Sequence, residues 1–159
     1  MAGLLAGAVF MAGCSDSQQS RHAASEGEQE HYHYHEAPHG GTAVVLGKED
    51  FHIEFVRDAA VGKMQAYILD GHMHEFVRIP LASFEVAAKL PDREETLNFK
   101  AVSKRETGET VGNTALFEAE AEWLKTIEEF DGVVKQIEIR GKQYQTVLFH
   151  FPDGNENQK

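Results

Sequence analysis

Apolar and polar side chains alternate in short runs along most of this chain, and turn-forming residues separate the runs. In Phe51–Phe55, three apolar side chains alternate with His52 and Glu54, which is the two-residue period of a half-buried β-strand. The pattern predicts strands at Thr42–Leu46, Phe51–Phe55, Lys63–Leu69, Glu75–Ile79, Ser83–Leu90, Thr96–Val102, Thr114–Ala119, Val133–Ile139 and Tyr144–Phe151. Many short strands at this spacing predict a mainly β fold, an antiparallel β-sandwich of immunoglobulin-like shape.

The period changes once in this stretch. Trp123, Ile127 and Phe130 lie at positions i, i+4 and i+7, which predicts one short amphipathic helix whose apolar side packs on the sheets. The dipeptide Asp70-Gly71 is favoured in tight turns, so we expect a hairpin between the strands on either side of it.

The first residues have a different character. An apolar run of small residues and leucines, residues 4–13, precedes the one cysteine of the chain, Cys14, and is too short to cross a bilayer as a helix. The segment resembles a bacterial lipobox. The resemblance implies that residues 1–13 are a signal peptide and that Cys14 becomes the acylated first residue. An alternative is a small apolar core segment with a buried thiol.

An export signal normally opens with a positively charged region, and no basic residue precedes Leu4. We therefore expect a signal that is truncated at its start. Residues 14–38 are then the lipidated cysteine and a flexible, histidine-rich linker, since Ser15–Glu36 has few aliphatic side chains. Residues 39–152 are predicted to form the β-sandwich domain, and residues 153–159 a disordered tail.

Charge and motifs exclude several functions. The formal net charge of −11 repels phosphate backbones, so we expect no nucleic-acid partner. A single, lipidated cysteine leaves neither a disulfide nor a reactive thiolate. The chain contains no His-Glu-x-x-His, no Gly-x-Ser-x-Gly and no phosphate-binding glycine loop. We therefore do not expect an enzyme.

Histidines indicate a different chemistry. The chain has nine, and four of them fall within nine positions: His31, His33, His35 and His39. Neutral imidazole is a common ligand of Zn²⁺, Cu²⁺ and Ni²⁺, and alternate residues of an extended chain project to the same side. This histidine tract therefore predicts metal binding. The alternative is a solvated linker whose histidines only titrate.

A second cluster surrounds the Asp70-Gly71 turn. Its candidate ligands are two imidazoles with a thioether and two carboxylates: His72, His74, Met73, Asp70 and Glu75. Imidazole with thioether favours copper, above all Cu⁺, whereas imidazole with carboxylate suits Zn²⁺, so Zn and Cu both remain candidates. An exposed polar hairpin end is the alternative for this cluster.

One further histidine belongs with this cluster. In a hairpin with Lys63–Asp70, His52 would face Ile68, Leu69 or Asp70 and could approach His72, although a lone surface histidine is the preferred interpretation. The hairpin register is not fixed by the sequence.

Three segments together resemble a known class of envelope protein. Ala37-Pro38-His39-Gly40-Gly41-Thr42, Phe51-His52-Ile53-Glu54 and Tyr67-Ile68-Leu69-Asp70-Gly71-His72 are similar to small accessory proteins of heavy-metal efflux systems of the resistance-nodulation-division type, and to segments of their periplasmic adaptor subunits. The resemblance covers roughly residues 37–80. It implies a periplasmic role in transition-metal handling and draws attention to His39, His52 and His72.

These observations predict a protein anchored to a membrane by lipid and facing the periplasm, where it binds transition-metal ions for efflux or homeostasis. Ser15 after the lipidated cysteine favours the outer over the inner membrane. A metal-efflux adaptor or another envelope protein would be its partner. The alternative function is a non-enzymatic interaction or scaffolding lipoprotein with incidental histidines.

Overall fold

The computed structural model describes residues 36–156. The predicted signal peptide, Cys14 and the tract residues His31, His33 and His35 lie outside this range. The described part is mainly antiparallel β-structure with a single turn of 3₁₀ helix, which confirms the predicted fold class. The strands are β1 Thr42–Leu46, β2 Phe51–Asp58, β3 Lys63–Asp70, β4 Ser83–Lys89, β5 Glu94–Ala101, β6 Leu116–Glu120, β7 Phe130–Ile139 and β8 Lys142–Phe151.

All eight strands belong to one sheet, in the order β1-β2-β3-β6-β5-β4-β7-β8. Every neighbouring pair in this order is antiparallel, and β1 and β8 also lie close together. The strands therefore form one nearly closed sheet.

Phenylalanine rings fill the space that the sheet encloses. Phe55 on β2 stacks on Phe149 of β8, with ring centroids 5.0 Å apart, and Phe84 on β4 stacks on Phe99 of β5 at 5.0 Å. Gly132 on β7 makes room for one of these rings, because a Cβ there would lie 2.2 Å from Cζ of Phe149. Strands far apart in sequence thus share one apolar core.

The predicted helix is shorter than its apolar spacing suggested. A 3₁₀ helix spans Glu122–Lys125 and buries Trp123 and Leu124, whereas Phe130 belongs to β7 and pairs with Phe151. The Trp123 and Phe130 rings still meet edge to face, at 5.3 Å. Pairing with β8 replaces the end of the predicted helix, because the strand buries Phe130 and also satisfies its backbone.

The predicted strand Glu75–Ile79 is a loop in the structure. It makes two isolated bridges, Leu69 with Phe76 and Ile79 with Thr114. The tight hairpin expected at Asp70-Gly71 is correspondingly a wider loop. Gly71 is needed there for a packing reason, since a Cβ at this position would lie 2.3 Å from the carbonyl oxygen of Glu49 in the β1–β2 turn.

Side chains close the seam between β1 and β8. The Thr42 hydroxyl donates to the carbonyl of Pro152 at 2.8 Å. The Asn155 amide pairs with the backbone of Val45, accepting from its N–H at 2.7 Å and donating to its carbonyl at 3.1 Å. At the other end of the seam, Asp50 binds Lys142 and Tyr144 of β8.

Residues 153–156, predicted to belong to a disordered tail, are therefore part of the domain. Gly154 is buried and exchanges backbone hydrogen bonds with His150. These residues pack beside β1 because the edge of that strand presents polar backbone groups that need partners.

We expect Asn155→Ala to lower the free energy of unfolding by about 1–2 kcal/mol, because two hydrogen bonds at the seam are lost. Urea denaturation would measure the change. Asn98→Ala is the matched control, since Asn98 is exposed on β5, and it should change stability by less than about 0.5 kcal/mol. Equal effects of the two substitutions would contradict the role given to Asn155.

Candidate functional site

A buried carboxylate lies on the outer face of β2. Strand alternation directs Ile53 and Phe55 into the core and places His52 and Glu54 on the opposite face, yet all four are fully buried. Oε1 of Glu54 accepts the backbone N–H groups of His39 at 2.8 Å and Gly41 at 2.9 Å. Its Oε2 lies 2.8 Å from Nδ1 of His39. Glu54 thus fixes the end of the histidine tract to the sheet.

The two glycines of the junction are required by this geometry. Gly40 has a positive φ of 68°, which glycine adopts at little cost. A Cβ on Gly41 would lie 2.5 Å from the carbonyl oxygen of Phe55. This pair of glycines therefore lets the chain turn tightly into β1.

Aromatic rings cover the junction. His39 stacks on Tyr67 of β3 with centroids 3.9 Å apart and an interplanar angle of 14°, and Phe76 lies 5.7 Å from the same imidazole. We call His39, Tyr67 and Phe76 the outer aromatic cluster. Burial and the nearby carboxylates of Glu54, Glu118 and Glu109 raise the pKa of the Tyr67 phenol, so this cluster holds a neutral phenol at physiological pH.

The loop that carries Phe76 also carries the second histidine cluster. Its first turn is closed by the N–H of Met73, which donates to the carbonyl of Asp70 at 3.1 Å. Oδ1 of Asp70 then accepts the N–H groups of His74 at 2.8 Å and Glu75 at 3.0 Å. These bonds hold residues 70–75 in a defined conformation, which we call the histidine loop.

Two imidazoles lie side by side on this loop. His72 and His74 are both exposed, and their ring centroids are 6.2 Å apart. Zinc–nitrogen bonds are about 2.0–2.1 Å long, so small side-chain rotations would allow both rings to bind one ion. The residue between them, Met73, is buried instead: its side chain is only 2% exposed, and its backbone has a positive φ of 57°.

The carboxylate at the base of the histidine loop is ionised at neutral pH. Burial raises the pKa of Asp70, but the backbone hydrogen bonds from Glu75 and His74 and the nearby imidazoles of His72 and His74 outweigh it, so the pKa lies below its ordinary value. A negative charge therefore stands beside the paired imidazoles, where it would favour a bound cation.

The remaining described histidines have structural contacts. His52 faces Leu69 across the hairpin, within the range that the sequence predicted, but it is fully buried and is not a surface residue. Its Nδ1 lies 3.2 Å from the carbonyl oxygen of Asp70, and its Nε2 lies 3.8 Å from Glu156. His150 lies 2.9 Å from Asp131 on the neighbouring strand.

The structure therefore brings together only part of the predicted site. His72 and His74 are adjacent, with Asp70 at the base of their loop, whereas Glu54 engages His39 and His52 is buried. Within residues 36–156, no group of three or more His, Cys, Asp or Glu side chains is placed to hold a metal ion.

Glu54, Tyr67 and Phe76 were not predicted to act together with His39. The β1–β2 hairpin is the sequence feature that could have indicated the contact between His39 and Glu54. Its register pairs Val45 with His52 and so brings the residues before β1 alongside Glu54.

A shallow apolar groove lies on another part of the sheet. Its floor is a row of cross-strand neighbours on the outer faces of β4, β7 and β8, namely Ala87, Val133 and Leu148. The groove has a volume of about 410 Å³, and Leu148 is 59% exposed. Charged side chains of both signs, Lys89, Glu94 and Asp131, complete its lining.

Comparison with known proteins supplies no relative. No protein-family model matches the chain, and no curated protein or solved structure matches it. Within the described range, no helix has the length and apolar character needed to span a bilayer.

Replacing Glu54 tests the clamp on the junction. Glu54→Gln should lower the free energy of unfolding by about 1–3 kcal/mol, because the amide replaces one buried carboxylate oxygen with a donor nitrogen and so changes the contacts with His39 and Gly41. Thermal and urea unfolding would measure it. Glu85→Gln removes an exposed ion pair with Lys135 and should cost less than about 1 kcal/mol. Comparable losses in both variants would count against the clamp.

The lowered pKa of Asp70 predicts how its contribution to stability depends on pH. A carboxyl whose pKa is lower in the folded state stabilises the fold above its unfolded pKa of about 3.9, and this contribution disappears as the pH falls through the folded pKa. The difference in unfolding free energy between the native chain and Asp70→Asn should therefore be largest at pH 5–7 and shrink below about pH 4. Urea titrations at pH 7, 5 and 3.5 would measure it. A difference that stays constant over this range would rule out the effect.

Proposed function

We propose that this protein is a lipid-anchored envelope protein, facing the periplasm, that captures transition-metal ions with exposed histidines and serves metal efflux or homeostasis. The observation that carries the proposal is the His72–His74 pair, whose rings lie 6.2 Å apart on the exposed histidine loop. Asp70 adds a negative charge at the base of that loop. The anchor on Cys14, the preference for the outer membrane and the efflux partner rest on the sequence alone.

The position of His39 supports a joint role of the histidine tract and the histidine loop in metal capture. Its imidazole lies 5.7 Å from Phe76, which follows His74 by two positions. His39 is the last histidine of the tract. The end of the tract is thus held near the loop, and His39 serves here as an anchor through Glu54.

No bond of a substrate has to be broken in this function. The metal ion is the cargo, and the protein supplies neutral imidazoles and carboxylates to hold it. Two side chains from a loop leave other coordination positions to water, which favours an ion that can be passed on over one that is locked in place.

Metal titration of the chain from Ser15 onward tests this function. Zn²⁺, Ni²⁺ and Cu²⁺ should bind, because the exposed imidazoles are suitable ligands. Replacing His31, His33 and His35 by alanine should remove part of the uptake, and adding His72→Ala and His74→Ala should remove most of the rest. Isothermal titration calorimetry or equilibrium dialysis would measure both.

His150→Ala is the matched control, because its imidazole lies on β8, far along the chain from both clusters. It should leave uptake unchanged. Negligible and equal uptake by the parent chain and by the variant without the five histidines would eliminate metal capture as the function.

The second candidate function is an interaction lipoprotein, and the apolar groove on β4, β7 and β8 favours it. Leu148 is exposed there beside Val133 and Ala87, and exposed apolar surface of this kind often marks a contact site. This function would stand alone if the titration showed no metal binding.

A further inference from the structure

The sequence leaves open whether the histidine loop suits soft Cu⁺ or a borderline divalent ion, and the burial of one side chain decides between them. Met73 lies between two exposed imidazoles, yet it is 2% exposed. Its thioether is packed inside the fold, although a position between two ligands in sequence suggests a third donor.

Soft sulfur donors are absent from the described surface. Met64, the other methionine within residues 36–156, is 1% exposed, and that range contains no cysteine. Thioether and thiolate are the donors that select Cu⁺. A Cu⁺ ion at the loop would therefore have to draw Met73 out of its packing before its sulfur could bind.

The donors that do face solvent are borderline or hard. They are the imidazoles of His72 and His74, with the carboxylates of Asp70 and Glu75 on the same loop. Imidazole with carboxylate suits Zn²⁺, Ni²⁺ and Cu²⁺. The backbone N–H groups of His74 and Glu75 donate to Asp70 and fix the loop that carries both imidazoles.

We infer that the histidine loop binds a divalent transition-metal ion, Zn²⁺, Ni²⁺ or Cu²⁺, through His72 and His74, and that Met73 anchors the loop and is not a metal ligand. This inference rests on the proposed function, since it names the class of ion taken at one of the two proposed stations.

The test uses the full chain with His31, His33 and His35 changed to alanine, so that the loop is observed without the tract. Three further variants are made in this background, namely His72→Ala with His74→Ala, Met73→Leu, and His150→Ala as the control. Binding of Zn²⁺, Ni²⁺ and Cu²⁺ is measured by calorimetry, and binding of Cu⁺ is measured without oxygen against a chromophoric chelator.

The double histidine variant should weaken binding of the divalent ions at least tenfold, while Met73→Leu and His150→Ala should change it less than twofold. Leucine conserves the volume of methionine in a core, so the fold of Met73→Leu is expected to persist, which circular dichroism would check. X-ray absorption of the zinc-loaded chain should show nitrogen or oxygen neighbours at about 2.0–2.1 Å and none at the sulfur distance of about 2.3 Å.

Two results would overturn the inference and leave metal capture standing. One is Cu⁺ binding at the loop that falls tenfold in Met73→Leu. The other is divalent binding that disappears with the tract histidines and does not respond to His72 and His74. If the parent chain with all its histidines takes up no ion, the proposed function fails and this inference fails with it.

Discussion

The two ends of the strand order, β1 and β8, lie side by side. Side-chain hydrogen bonds join this seam, in place of many of the backbone hydrogen bonds that connect neighbouring strands elsewhere in the sheet. An unsatisfied strand edge exposes backbone groups that can pair with another chain, so the seam both stabilises the fold and covers these edges. Asp50 closes one end of the seam by binding Lys142 and Tyr144, and Asn155 pairs with Val45 toward the other. The core depends on this closure, because the ring of Phe149 on β8 reaches Phe55 on β2 inside it.

Closure of the sheet also explains why the candidate ligands lie on its outer face. Aromatic rings occupy the interior, so polar groups that could hold a ligand must lie outside or at the ends. Part of that outer face is itself covered, since the junction before β1 and the histidine loop after β3 bury Glu54 and His52. The end of the histidine tract and the paired imidazoles consequently share one region of the molecule, with His39 and Phe76 in contact range.

Neighbouring residues of the histidine loop have two different roles, since some fix its conformation and others are exposed to solvent. Asp70 and Met73 hold the loop, one by accepting backbone hydrogen bonds and the other by packing inward. His72 and His74 are left at the surface. This division gives the loop a defined conformation, so the proposed binding of an ion there would carry a smaller entropic cost of ordering the backbone.

The alternating pattern by itself determined the mainly β fold and most of the strands, because these follow from the local period of apolar side chains. It misplaced Glu75–Ile79 and overestimated the helix after Trp123, since sheet pairing overrode local preference. Tertiary structure alone decided that Glu54 and Met73 are buried and that Asn155 belongs to the domain. Alternation of apolar and polar residues indicates which side chains share a face of a strand, but not which part of the chain covers that face. The covering contacts are distant in sequence, since His39 and Glu54 are 15 positions apart and Val45 and Asn155 are 110 positions apart.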